Sequence, residues 1–407
     1  MNIILPNYIL TPDTLISDHA VAFDKTIKEI APLQSLKEKY PEAEITQLQK
    51  NSLLMPGLIN AHVHVEFSAN KNQLSYGDFL NWLYSVMENR EDLITGCDLT
   101  CMSKAIDAML ANGITTFGAI SSHAMDLEAC ANAKQNVVFF NELIGSQAGM
   151  ADALFSDFLT RLDASKAVQR EGFYPAVAIH SPYSVHPILI KKALEIAKNE
   201  DLKLTAHFME SEAERNWLDS SSGDFKDFFS TLLKQDKSIS DAEEFLNCFD
   251  GFKALLTHAV KTNEAELEHI AKQNHTIIHC PISNRLLGNP TLNIQKLNEK
   301  KIRWIVATDG LSSNYALDLF EEMKISLFMH SSAPLLAFAK LLLKGVTVNA
   351  AEALGLNTGE IKEGKNADMI IVDLDAKPNE ELAIHLILHR YNISKVFVNG
   401  NLVKGNE

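Results

Sequence analysis

The chain has 407 residues, 46% of them apolar and 22% charged, which suits one large domain plus a smaller one. Its net charge of −15 argues against a nucleic-acid backbone or an anionic membrane surface as main partner, because both require a basic face. No apolar run reaches the roughly 18–20 residues of a membrane span; the opening MNIILPNYILTPD lacks the parts of a signal peptide, and five scattered cysteines (Cys97, Cys101, Cys130, Cys248, Cys280) do not suggest a disulfide framework, so a cytoplasmic protein is expected.

In chain order, apolar and β-branched runs occur at 53–67, 113–122, 136–145, 174–181, 202–208, 253–260, 275–283 and 302–310. Helical spacing fills most of the intervals, as at 188–199 and 264–273. Cys97 and Cys101, four apart in an expected helix, read as reduced thiols on one turn. Eight strands with helical crossovers predict an α/β fold, a (β/α)8 TIM-type barrel over 55–361. The acidic stretch 210–247 is expected to carry extra helices on an active-site loop. The ends, 1–54 and 362–407, hold short strand-like pieces such as 369–373 and 395–399, and are expected to pair into one small β domain.

Active sites of such barrels lie at the C-terminal ends of the strands. The first run ends in His62-Val63-His64, whose imidazoles share one face of an extended chain. The fifth ends in His207, the sixth in His258 and the eighth in Asp309. Three histidines and a carboxylate are an ordinary ligand set for zinc or iron(II) with one open position. His62, His64, His207 and Asp309 are therefore the candidate ligands of one divalent cation, with His258 a further candidate. His279, ending the seventh run, is left open. His19, His269, His385 and His389 have no such placement and read as surface or structural residues.

The stretch Met55-Pro56-Gly57-Leu58-Ile59-Asn60-Ala61-His62-Val63-His64 resembles the opening signature of the amidohydrolase superfamily. The resemblance continues through His207-Phe208-Met209-Glu210, Thr257-His258, 279–284 (HCPISN) and 307–310 (ATDG), and ends in 359–368 (GEIKEGKNAD), similar to the chlorohydrolase/deaminase branch. It implies a barrel with a composite β-sandwich built from both chain ends. Some superfamily members bridge two metals with a lysine ending strand four; 176–181 (AVAIHS) has none, which favours one metal, zinc by default and iron(II) as the alternative. By resemblance Glu210 is the proton shuttle, His258 contacts the attacking water, and Asp309 ligates the metal and shares the water's proton. The chemistry is consistent: a cation makes water nucleophilic near neutral pH, and a nearby carboxylate can carry its proton to the ring nitrogen and the departing amine.

For the substrate, 79–83 (FLNWL) and Glu91 resemble the aromatic wall and ribose-binding glutamate of S-adenosylhomocysteine/methylthioadenosine deaminases. His180-Ser181-Pro182-Tyr183 resembles their substrate-facing segment, and Ser283-Asn284 recurs there. Trp82, Glu91 and His180 are thus candidate substrate contacts, with Glu210. The arginines that bind an amino-acid tail in those enzymes are absent from 141–147 (NELIGSQ), while Arg285 follows Ser283-Asn284 as a candidate partner for a different anion. With 284–287 (NRLL), the chain resembles aminofutalosine deaminases, which act on an adenine nucleoside bearing an aromatic carboxylate at the 5′ end. The expected reaction is hydrolytic deamination of 6-amino-6-deoxyfutalosine to futalosine in menaquinone biosynthesis, by a homodimer. The alternatives are S-adenosylhomocysteine, methylthioadenosine or adenosine as substrate, or another amidohydrolase acting on guanine or a triazine.

Overall fold

The first apolar run is not one strand but two, Ser52–Pro56 and Leu58–Val63. They join at Gly57, where any Cβ would run into the Thr115 side chain; glycine lets the chain pass from one sheet to another at that point. The computed structural model describes residues 1–11, 14–69 and 73–405, so positions 12, 13, 406 and 407 of the expected β segments lie outside the described residues.

Eight parallel strands follow one another in chain order: Leu58–Val63, Ile114–Ser121, Asn136–Leu143, Phe173–Ile179, Leu204–Phe208, Leu255–His258, Thr276–His279 and Arg303–Val306. The eighth closes on the first through side chains and the chain beyond its end. Asn60 Nδ2 donates to Thr308 Oγ1 (2.8 Å), Asn60 Oδ1 accepts the Thr308 N–H (3.0 Å), and the Asp309 N–H donates to the His62 carbonyl (3.1 Å). Continuous apolar strands bury both faces, one against helices and one inside the barrel. Inside lie alternate residues such as Ile59 and Ala61, Val138 and Phe140, and Ala176 and Ala178. An extra residue on the first strand between Asn60 and Val63 breaks this alternation. Such a bulge reverses the phase, and it turns His62 and His64 toward the interior that Ile59 and Ala61 also face.

The two chain ends form a four-stranded and a six-stranded sheet. Strand Met369–Asp373 pairs antiparallel with Ser52–Pro56, tying the ends together. Ile4, Val21 and Phe23 of one sheet meet Leu54, Met369, Ile371 and Phe397 of the other in a shared core, a β-sandwich. Leu382–Leu388, in the stretch read as strand-like pieces, is a helix; its Leu382, Ile384, Leu386 and Ile387 join the main core beside helix Leu335–Gly345. The seventh run is also shorter than expected. Pro281 lacks an N–H to extend a ladder and instead starts helix Pro281–Leu286. The 210–247 stretch carries the expected helices, Glu212–Ser220, Asp224–Leu233 and Ala242–Cys248. No helix among the described residues is long and apolar enough to cross a membrane.

His275 gives the fold a measurable acid limit. It is 1% exposed and its Nδ1 accepts the Ala254 N–H (3.2 Å). Burial, aided by His269, pushes its pKa down to about 4, against about 6.5 in the unfolded chain. Between those values the unfolded chain binds a proton that the folded chain refuses, so this contribution is present above about pH 6.5 and is lost as the pH falls toward 4. At full depth it amounts to about 3 kcal/mol. His275→Gln should therefore lose less Tm than the parent between pH 6.5 and 4.5; parallel losses in the two proteins would exclude this account.

Candidate active site

The ends of strands one, five, six and eight converge. One ring nitrogen from each of His62, His64 and His207 lies within 4.8 Å of the others. Asp309 Oδ1 is 3.6 Å from His62 Nε2 and 3.5 Å from His64 Nε2. The other face of each group is held. Thr257 Oγ1 meets His62 Nδ1 (3.2 Å), and His207 Nδ1 donates to the His180 carbonyl (2.9 Å), which leaves both Nε2 lone pairs free. Asp309 Oδ2 accepts hydrogen bonds from Ser283 (2.8 Å) and Ser313 (2.9 Å), and Oδ1 accepts the Gly310 N–H (2.8 Å). Burial would raise the Asp309 pKa, but the surrounding His62, His64 and His258 rings outweigh it and hold the carboxyl well below its usual range. Two buried nitrogens here, His62 Nε2 and His64 Nδ1, have no hydrogen-bond partner. Unpartnered buried imidazole nitrogens beside an ionised carboxylate fit a divalent cation and little else.

Glu210 and His258 form the second half of the site. His258 Nδ1 donates to Asn284 Oδ1 (3.0 Å), so its Nε2 carries the lone pair and faces Glu210 Oε1 at 3.4 Å. Burial, then the charges of Asp309 and Glu214, drive the Glu210 pKa well above its ordinary value. Burial likewise lowers His258 to about 4. Burial thus disfavours charge on both groups, and their 3.4 Å separation places them to exchange a proton. Met209, His258 and Asp309 have φ of 50°, 71° and 60°. Left-handed backbone at non-glycine residues is costly, and its concentration at these strand ends shows that neighbouring contacts enforce it.

These groups line a cavity of about 620 Å³, together with Trp82, Leu83, Val86, Ile144, Leu154, His180, Phe228 and Phe229. Trp82 Nε1 donates to the Ser312 carbonyl (2.8 Å), which fixes the indole as part of the wall. His180 Nδ1 is bonded to Ser184 Oγ (2.6 Å). Glu91 and Arg285 are not brought to this cavity. Glu91 is exposed on helix Arg90–Thr95, where the preceding Arg90 is the residue that lines the wall. On helix Pro281–Leu286, Ser283 and Asn284 are buried toward Asp309 and His258, and the next position, about 100° further round, puts Arg285 in solvent. His279 stays outside as well, buried edge-on to His330 with ring centroids 5.2 Å apart.

Several residues that hold the site escaped the sequence reading. Glu214 accepts the N–H groups of Met209 (2.9 Å) and Glu210 (2.7 Å), clamping the turn that presents Glu210. The Ser211-x-x-Glu214 helix-start pattern was its only signal. Glu322 is fully buried and accepts from Asn314 (2.5 Å) and from the Ile282 N–H (3.2 Å), joining the Asp309 loop to the helix of Asn284. Glu66 accepts the N–H groups of Ser122 (2.8 Å), His123 (3.0 Å) and Met125 (2.9 Å). Glu142, ending strand three, accepts from Ser122 Oγ (2.5 Å) and leaves Oε1 without a partner in the cavity wall, 3.9 Å from His207 Nδ1. Along the chain it lies in 141–147 (NELIGSQ), where nothing but its place at the end of a strand sets it apart from a solvated glutamate.

The sequence profile of the amidohydrolase family matches residues 53–403. The chain belongs to that family. It is 49% identical over 402 residues, 98% of each chain, to an aminodeoxyfutalosine deaminase of a Nitratiruptor species. It is 35% identical, over 96% of this chain and 95% of the other, to an adenosine deaminase of Helicobacter pylori. Among solved structures, it superposes on H. pylori aminofutalosine deaminase in complex with methylthio-coformycin with a TM-score of 0.93 and 33% identity, covering 99% of this chain and all of that one.

Proposed function

We propose that this protein hydrolytically deaminates the adenine ring of a 5′-substituted adenosine, with 6-amino-6-deoxyfutalosine as substrate and futalosine and ammonia as products. One observation carries the reaction type: the buried Glu210 carboxyl lies 3.4 Å from His258 Nε2, which is itself 4.0 Å from Asp309 of the His62, His64, His207 and Asp309 cluster. The 49% identity to an aminodeoxyfutalosine deaminase across the whole chain supports the choice of nucleoside. His62, His64, His207 and Asp309 would hold one divalent cation, zinc in our reading. When bound, it supplies Lewis acidity that brings the pKa of water toward neutrality.

The chain's own groups then manage protons and position. Glu210 in its carboxylate form takes the proton of the attacking water and delivers it to the ring nitrogen next to the reacting carbon; the proton of the added hydroxyl then passes through the same carboxylate to the amine, which leaves as ammonia. His258, fixed by Asn284, orients the water through its Nε2 lone pair. Asp309, kept ionised by its imidazole neighbours, accepts a proton transiently without losing its place, because Ser283 and Ser313 hold its second oxygen. Trp82, Phe228 and Phe229 exclude bulk water and offer apolar area to the nucleoside.

The identity of the 5′ group is tested by kcat/KM on protein of measured metal content. Aminofutalosine should exceed methylthioadenosine, adenosine and S-adenosylhomocysteine by at least about tenfold, the equivalent of about 1.4 kcal/mol. Equal or better turnover of adenosine would favour the alternative suggested by the H. pylori adenosine deaminase likeness.

A further inference from the structure

Arg285 lies in solvent, yet the cavity has cationic side chains of its own. Arg90 and Arg161 line it, and so does the imidazole of His123. Arg161 is 12% exposed; its Nε donates to Asp157 (2.8 Å) and its Nη atoms to the carbonyls of Glu142 (2.9 Å) and Ser121 (3.4 Å). Those bonds use three of the five N–H groups of a guanidinium and leave two. Arg90 Nη2 donates to His123 Nε2 (3.0 Å), and among the described residues it pairs with no carboxylate. The His123 backbone is fixed by Glu66, so this arrangement is held from beneath. The same cavity wall carries apolar side chains, Leu83, Val86, Ile144 and Leu154, together with the carboxylates Asp157, paired with Arg161, and Glu142, bonded to Ser122.

We propose that Arg90, His123 and Arg161 form the seat of a carboxylate carried by an aromatic 5′ substituent, whose ring lies against the apolar wall. This assignment rests on the nucleoside deaminase reading and names the part of the substrate these residues select. Spare guanidinium donors in a partly closed, apolar-sided cavity match a planar anion in bidentate fashion. Burial and the two adjacent guanidinium groups favour a neutral His123, which accepts from Arg90 and adds a neutral donor at Nδ1. A methylthio group or a bare hydroxyl would offer no anion to the spare guanidinium donors.

The test pairs aminofutalosine with the same nucleoside carrying a carboxamide in place of the carboxylate. Loss of a charge-assisted contact is expected to make the wild-type kcat/KM ratio of carboxylate to carboxamide about 10–100-fold. Arg90→Gln and Arg161→Gln should each move that ratio toward one, chiefly through KM for the carboxylate. Arg161 also braces Ser121 and Glu142, so Arg90→Gln, at an exposed position, is the decisive variant should Arg161→Gln fail to fold. A wild-type ratio near one, or a wild-type ratio retained in Arg90→Gln, overturns the seat while leaving the deaminase reading intact. Deamination of adenosine with neither paired compound turned over overturns the substrate reading and the seat together.

Discussion

Glu210→Gln lowers kcat by about 10²–10⁴-fold, with the fold and the bound metal retained. Glutamine has the same shape and keeps a polar side chain facing His258 Nε2, which lies 3.4 Å from the native carboxyl. Glu214 grips the backbone of residue 210 rather than its side chain, so the turn survives the change. What disappears is the ability to accept a proton from water and return it. KM should move little, because packing in the cavity is conserved. The measurement is kcat with aminofutalosine, alongside metal content and Tm for the same preparation. Retention of kcat within a few-fold would assign proton transfer to another group, with Asp309 the first to consider.

The second large effect concerns the cation. Its removal should abolish turnover and also lower Tm, because His62 Nε2 is buried without a protein partner and gains one only from a ligand. An ion present at about 1,000 times its Kd stabilises the folded state by about 4 kcal/mol, which corresponds to a shift on the order of 5 °C or more. Chelation should produce that drop and added zinc should reverse it. His207→Ala should be inactive, and its Tm should be insensitive to both treatments. A His207→Ala protein that still gained several degrees on zinc addition would place the ion away from His207, and so outside both clusters that share it.

The candidate ligand set was legible because its residues are close in sequence or end a strand. His62 and His64 sit two apart, and each remaining member closes an apolar run that is itself easy to see. The eight strands were legible for a related reason: parallel strands are buried on both faces and read as continuous apolar segments. The residues that tune the site were not. Glu66, Glu142, Glu214 and Glu322 look like ordinary solvated glutamates along the chain. Only folding buries them and hands their oxygens to backbone N–H groups or to Ser122 and Asn314.

By itself the sequence determined the barrel and the four candidate ligands, from periodicity and from polar residues at strand ends, while the family, and Glu210 and His258 as a candidate reacting pair, came from resemblance to amidohydrolases. Tertiary structure decided which way side chains point. A single extra residue in the first strand turns His62 and His64 inward. One step of helical phase sends Arg285 to solvent while its neighbour Asn284 holds His258. The cations that do face the cavity, Arg90 and Arg161, come from helices about 70 residues apart, Arg90–Thr95 and Ala151–Ala167. Periodicity reports local geometry, whereas a cavity wall is assembled from distant segments whose relative rotation is set by packing.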